Sequence, residues 1–327
     1  MSLKLKTFAA LLTAACLAMP GMAQAQKVLK FGAGSAAFTP EVIAAGKFAE
    51  LVTEKSKGKY RVDVMHSGQA GGEREIAESQ QLGTLQFAIL GGIVQNFDPA
   101  LMIVEWDLLF KNDDHVKAVL NGPIGEKISE RMIKHLDTRI MAPFMRTPRL
   151  LTTKQPVRTL ADLKGMKIRI PEMAARIALW EALGSRPTPM SFPEVIPALQ
   201  MGAIDGQENP IGTIAANKIQ DVVKYLGDTK HLYGFMMLTV SETFWKSLPK
   251  EDQDMFMEAA KEAAVHNDKL TAESEADLYK ELGEKMEVIA PDMNEWREAT
   301  KDVYKKFENV EGFVDLYTEI VKLGEQY

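Results

Sequence analysis

The sequence predicts an α/β protein built as two lobes. Three observations lead there. Short apolar strands alternate with helical stretches from Lys27 onward. A second strand-and-helix series starts near Thr147-Pro148. Lys250–Met286 then holds no proline and only Gly283, long enough as a helix to pass across both lobes.

The first 25 residues are read as a secretory signal peptide. Lys4 and Lys6 precede an apolar run from Phe8 to Met19, and Ala23-Gln24-Ala25 supplies a small-x-small cleavage site. Cys16 lies within this segment. A lipidated thiol after Leu12-Thr13-Ala14-Ala15 is the competing reading, weakened by Thr13 where leucine is usual. Cleavage after Ala25 leaves no cysteine, hence neither disulfide framework nor thiolate catalyst. It also removes Lys4 and Lys6, taking the formal net charge from −6 to −8. A mildly acidic chain argues against nucleic acid or anionic lipid as partner. No later apolar run approaches the ~18 residues of a spanning helix. The expected location is the periplasm.

Lobe I is expected over 26–146 with a return segment near 235–274, and lobe II over 147–234 with a C-terminal segment near 275–327. Val28–Phe31 reads as a strand, and Thr39-Pro40-Glu41 as a capped helix start. Tyr60–Met65 alternates as a strand, Gly71–Leu82 is helical, and Phe87–Leu90 is a short apolar strand. Helices around His115–Leu120 and Ile124–His135 lead into a strand at Arg139–Phe144. In the second lobe, Leu150–Thr153, Lys167–Ile170, Arg186–Thr188 and Ile204–Gln207 read as strands, with helices at Ala174–Leu183 and Phe192–Met201. Phe235–Ser241 reads as a buried strand returning to the first lobe. Lys250–Met286 is either one strut or two helices with a break; Asn294–Phe307 and Phe313–Leu323 close the chain as helices.

Several familiar signatures fail. Gly32-Ala33-Gly34-Ser35-Ala36-Ala37 fits a dinucleotide fingerprint, but Thr39-Pro40 starts the helix after the motif rather than within it. The loop could still bring backbone N–H groups to a ligand. His66, His115, His135, His231 and His266 sit in separate elements without metal-ligand spacing. No nucleophile elbow or phosphate loop is present. No catalysis, metal or cofactor is expected.

The chemistry concentrates in Gly165-Met166-Lys167-Ile168-Arg169-Ile170-Pro171 and Gly202-Ala203-Ile204-Asp205-Gly206-Gln207-Glu208-Asn209-Pro210. Strand alternation puts Ile168 and Ile170 on one face, Lys167 and Arg169 on the other. That polar face is a solvated surface or an anion site. Arg149, before another short strand, favours the site: two arginines on neighbouring strand ends converge on one carboxylate, which a guanidinium fork matches bidentately. Asn209-Pro210 reads as an N-cap and first helical residue for Ile211–Ile219, adding an amide donor and a helix N-terminus. Phe192 is either core or a stacking face, and Trp180 is expected in the core.

Taken together, these segments resemble the substrate-binding proteins of tripartite ATP-independent periplasmic (TRAP) transporters, the DctP-type family. The resemblance covers essentially the whole mature chain. It rests on Gly71-Gly72-Glu73-Arg74-Glu75, Leu82-Gly83-Thr84-Leu85-Gln86-Phe87, Leu163 to Pro171, Pro187-Thr188-Pro189-Met190-Ser191-Phe192 and Ala203 to Pro210. It implies a two-lobe periplasmic binding protein fold with a hinge and a long helix spanning both lobes. It also implies a small organic acid ligand between the lobes, delivered to the small and large subunits of an ion-gradient-driven membrane permease. The family's carboxylate-binding arginine maps onto Arg169, a second arginine onto Arg149, and the asparagine of its Q-E-N-P segment onto Asn209. Its aromatic position maps onto Phe192 and the acidic residue after its glycine pair onto Glu73. The family's apolar Leu-Pro-Phe-like segment is replaced by Val104-Glu105-Trp106-Asp107-Leu108-Leu109-Phe110, where Asp107 is a helix cap or alters the cleft. A C4-dicarboxylate, a sugar acid and another carboxylate all fit, and a monomer is expected. A periplasmic sensor presenting the bound acid to a receptor kinase is the alternative, and an exported hydrolase a distant third.

Overall fold

In Lys27–Gly32 (β1) alternation turns Leu29 and Phe31 inward, and this strand opens the first sheet. The computed structural model describes residues 26–327; the expected signal peptide and Cys16 lie outside the described residues. Helix α1 (Pro40–Lys55) follows with Pro40 at its start. Thr39 occupies the expected cap position but does not cap: its hydroxyl donates to the Ala36 carbonyl instead. Then come β2 (Tyr60–Met65), α2 (Glu73–Gln81) and β3 (Phe87–Leu90). Two 3-10 turns, Gly92–Asn96 and Pro99–Glu105, lead to α3 (Asp113–Leu120), α4 (Pro123–Leu136) and β4 (Thr138–Met145).

The second series comprises β5 (Arg149–Thr153), β6 (Lys167–Ile170), α5 (Ala174–Ala182), β7 (Arg186–Pro189), α6 (Val195–Met201), β8 (Gly206–Pro210) and α7 (Ile211–Ala216). Strands β9 (Tyr225–Leu232) and β10 (Phe235–Ser241) lead through α8 (Glu242–Lys246) into α9 (Lys250–Lys285). Strand β11 (Glu287–Ile289), α10 (Met293–Thr300), a 3-10 turn at Val303–Phe307 and α11 (Phe313–Leu323) complete the chain.

Two mixed sheets result, ordered β2-β1-β3-β10-β4 and β11-β9-β5-β8-β6-β7. Strand β10 returns to the first sheet and lies antiparallel to both β3 and β4. The chain crosses between the sheets at 146–148 and again at 233–234, and Arg146 N–H donates to the Gly234 carbonyl at 3.2 Å. A third passage is α9, one unbroken helix of 36 residues, roughly 54 Å long at 1.5 Å per residue. Phe256, Ala259, Ala260 and Ala263 bury its N-terminal half under the first sheet with Phe48 and Phe87. Leu282 joins Leu150, Leu199 and Leu226 under the second. The strut also holds the first crossing: Asn267 donates to the Met145 carbonyl at 2.9 Å, and Asp268 accepts from Met145 N–H at 3.0 Å. A third core, including Ile103, Trp106, Trp180, Trp296 and Phe313, is shared by both halves. The C-terminal segment lies along both, α10 against α5 and α11 against the Pro99–Glu105 turn, α3 and α4.

Local reading fails at three places. Strand β8 runs through Asn209 and Pro210, so Pro210 is the N-cap of α7 and Asn209 is a strand residue. Backbone pairing of Leu150 with Asn209 and of Arg149 with Pro210 holds this segment extended. Helix α7 accordingly has only six residues, ending before Ile219. Strand β9, carrying Gly227 and Asp228, shows no apolar alternation and exists because β5 and β11 pair with it.

Candidate functional site

A cavity opens between the two sheets, where strand ends and helix starts meet. All five residues singled out from the sequence line it: Glu73, Arg149, Arg169, Phe192 and Asn209. The glycine-rich loop contributes Gly34 and Ser35 to the same wall.

Arg169 is built by alternation on β6. Ile168 and Ile170 are fully buried on one face, and Arg169, on the other, is only 3 % exposed, which rules out the solvated-surface reading. Its Nε and Nη2 donate to the Met190 carbonyl at 3.1 and 2.8 Å. Its guanidinium carbon lies 5.6 Å from the Phe192 ring centroid, a cation–π contact that fixes the plane of the fork. Phe192, half-buried, is thus the platform of Arg169. No carboxylate pairs with Arg169 among the described residues, and its Nη1 remains free to donate. Burial, with repulsion from Arg149 and Arg176 working against the pull of Glu208, lowers Arg169 to about 10. It stays cationic at neutral pH.

Arg149 is the first residue of β5, and β8 separates it from β6, so the two arginines are not on neighbouring strands. Their registers on β8 differ accordingly, Arg149 opposite Pro210 and Arg169 opposite Gln207. Arg149 pairs side-on with the Glu208 carboxylate, and its Nη2 also donates to the Glu208 carbonyl at 2.8 Å. Glu208 is fully buried. Burial alone would raise its carboxyl, but Arg149 and Arg176 hold it well below the usual range. His231 places Nε2 3.3 Å from the same carboxylate.

Arg176 and Asp107 complete a buried charge network behind the cavity. Arg176, wholly buried, pairs with both Asp107 and Glu208. Burial opposes its charge, yet Asp107, Glu208 and Glu105 together raise it above its ordinary value. Asp107 is therefore neither a helix cap nor a residue of this cavity; it accepts from Arg176 and, at 3.0 Å, from Trp180 Nε1. Trp180 sits fully buried in the core, as expected.

Glu73 opens α2, after Gly71 and Gly72. Gly71 has φ +90°, and a Cβ there would also lie 2.8 Å from Glu75 Cβ, so glycine is required. The Glu73 carboxylate accepts from Gly91 N–H. Burial and then the Glu105 charge push Glu73 up to about 7, against the Gly91 N–H, Arg146 and Arg149.

Sequence reasoning missed three participants. Glu105, 5 % exposed, lines the cavity without a hydrogen-bond or ion-pair partner among the described residues. Arg146, also lining it, donates to Thr213 Oγ1 at 2.8 Å and stands 3.8 Å from Glu41. Arg176 supports it from behind. Only Arg176 left a usable signal, a cation one helical turn from Trp180 on an otherwise apolar face.

The chain matches the family described as bacterial extracellular solute-binding protein, family 7, over residues 31–310. A solute-binding protein of Roseobacter denitrificans is 35% identical over 274 residues, 84% of each chain. A crystal structure of a TRAP periplasmic solute-binding protein from that organism, with bound L-galactonate, superposes with TM-score 0.86 at 33% identity, covering 90% of this chain and 98% of that one. A TRAP periplasmic solute-binding protein of Haemophilus influenzae with bound L-gulonate gives TM-score 0.86 at 29% identity, covering 90% and 99%. The C4-dicarboxylate-binding protein DctB of Bacillus subtilis is 30% identical over 308 residues, 92% of this chain and 87% of that one.

Proposed function

The chain belongs to family 7 of the bacterial extracellular solute-binding proteins, the DctP-type binding proteins of TRAP transporters, and from that premise we propose that it captures an organic carboxylate between its lobes and delivers it to a membrane permease. The place of capture is the periplasm, and the ligand anchor is an arginine fork. Arg169 is the principal clamp, Arg149 contributes its remaining Nη1, and Asn209 directs the carboxylate from β8. Phe192 stiffens the fork, and Glu73 faces the body of the ligand.

One observation carries this reading. Arg169 is a buried guanidinium with no carboxylate partner among the described residues. An unpaired buried cation is costly, so a ligand anion that completes the pair gains charge-assisted hydrogen bonds in a site already shielded from water. The relatives with bound L-galactonate and L-gulonate support a carboxylate of this kind. The sheets on either side of the crossings at 146–148 and 233–234 act as the closing bodies, and the ligand favours closure by its greater affinity for the closed state.

Thermal-shift screening of the purified protein against organic acids tests the reading, followed by calorimetry with Arg169→Ala. Stabilisation by at least one carboxylate, lost in Arg169→Ala, is expected. Unchanged affinity in that variant would move the anchor elsewhere, and a protein that no organic anion stabilises would refute capture itself.

A further inference from the structure

We propose that Arg146 is a second ligand-binding cation, and that the buried Glu41 competes with the ligand for it. This rests on the carboxylate-capture reading above and holds whichever carboxylate is captured.

Arg146 stands in the crossing at 146–148, and its backbone N–H ties it to the other crossing through the Gly234 carbonyl at 3.2 Å. Its main chain is fixed; its guanidinium is not. The side chain lines the ligand cavity at 11% exposure, yet no carboxylate accepts a hydrogen bond from it among the described residues. Nη2 donates to Thr213 Oγ1 at 2.8 Å, and Nη1 reaches only the Met236 thioether at 3.5 Å, a weak acceptor. The other arginines of the cavity differ. Arg149 is committed to Glu208, and exposed Arg74 pairs along its own helix with Glu78. Besides the Arg169 clamp, Arg146 is the guanidinium left to meet a ligand.

Behind it lies a second cavity of about 20 Å³, and Arg146 and Thr213 are the two residues that both cavities share. Glu41, in the first turn of α1, lines this rear cavity at 3% exposure. Its Oε1 is buried and accepts no hydrogen bond among the described residues. The hydroxyls nearby serve carbonyls instead, Thr271 that of Met145 and Ser274 that of Thr271. Arg146 is the only cation lining the rear cavity, and its Nη2 stands 3.8 Å from Glu41 Oε1. That is about 1 Å too far for a charge-assisted hydrogen bond. A carboxyl oxygen without a donor thus faces a largely buried guanidinium without a carboxylate, each at a cost. The guanidinium has two ways to relieve it. A small shift backward completes the pair with Glu41, and a shift forward gives its donors to a ligand and widens the gap behind. Ligand binding therefore works against the pull of Glu41, which lowers the observed affinity.

Calorimetry tests this, the probe being whichever of L-galactonate, L-gulonate and succinate most stabilises the wild-type chain against heat. Arg146→Gln is expected to weaken the probe by at least about tenfold, and Glu41→Gln to tighten it by at least about threefold. In the double variant the gain from Glu41→Gln should vanish, which a purely structural role for Glu41 would not produce. Unchanged affinity in Arg146→Gln, where Arg169→Ala abolishes binding, overturns the inference and leaves carboxylate capture intact. A gain from Glu41→Gln that persists without Arg146 does the same, as does affinity in Glu41→Gln that is unchanged or reduced. Should Arg146→Gln fail to fold, judged by thermal denaturation, Glu41→Gln decides by itself. Stabilisation by none of the three probes sinks the capture reading and this inference with it.

Discussion

Arg149 lies side-on against Glu208, donating Nε to one carboxylate oxygen and Nη2 to the other, so most of its fork is committed before any ligand arrives. Arg169, two strands away on β6, keeps its free edge toward the cavity. The two arginines therefore divide differently between folding and binding. Arg169→Ala is expected to weaken the native ligand by about 3–5 kcal/mol, roughly 10²–10³-fold or more in Kd, with little change in denaturation midpoint. Arg149→Ala should cost less in affinity and more in stability, because it strips a partner from the fully buried Glu208. Calorimetry and urea denaturation on the same pair of variants check the division; equal profiles would contradict it.

Arg169→Lys keeps the charge but loses the fork. An ammonium cannot donate to Met190, stack as a plane near Phe192 and hold a carboxylate bidentately at once. The expected loss is at least about tenfold in affinity despite conserved charge. Near wild-type binding would mean that only charge matters at this position.

Glu73 makes stability depend on pH in the opposite sense to an ion-paired carboxylate. Its carboxyl is held up at about 7, above the ordinary value of 4.5. The native state thus holds this proton more tightly than the unfolded chain between those values. The resulting contribution is full below about 4.5 and is lost as pH rises through about 7. Glu73→Gln should flatten that part of the unligated protein's stability curve. Urea midpoints measured from pH 4.5 to 8 test this; a wild-type and variant difference that does not change with pH would be the contrary result.

Asp107 supports the site without lining it. Asp107→Ala leaves Arg176 with Glu208 alone and Trp180 Nε1 without its acceptor. A loss of about 3–5 kcal/mol in stability is expected from breaking a buried pair. Affinity should fall less than in Arg169→Ala, since Glu208 still holds Arg149. A variant as stable as wild type, judged by urea denaturation, would show that the network carries no weight in the fold.

What was legible in the chain was local. Alternation revealed β1, β2 and β6, continuous apolar runs revealed β3 and β10, and the proline-free run over Lys250–Lys285 does form one helix. Arg169 stood out because motif and strand phase agree there, and Phe192 because of its motif alone. What was hidden depends on partners distant in sequence. Asn209 looks like a cap until β5 holds it extended, and β9 has no apolar rhythm of its own. The commitment of Arg149 to Glu208 spans 59 residues and that of Arg176 to Asp107 spans 69. Glu105 ends an apolar 3-10 turn and becomes informative only when the cavity shows that it is buried without a donor.

The strut has a mechanical consequence. Helix α9 is rooted in the first sheet's core by Phe256 to Ala263 and in the second's by Leu282, yet between Thr271 and Leu282 no side chain is fully buried. Leu278 and Tyr279 hold that stretch to the second core on one side only, and Tyr279 Oη donates to Asp228 at 2.9 Å. Because α9 is packed on both sheets, any change in the angle between them must bend this helix or shift one of its two contacts. Stiffness then becomes a design variable independent of chemistry. Replacing exposed Ala276 by glycine weakens the helix there by about 1 kcal/mol without touching the cavity, so a change in ligand affinity in that variant would be carried by the helix alone.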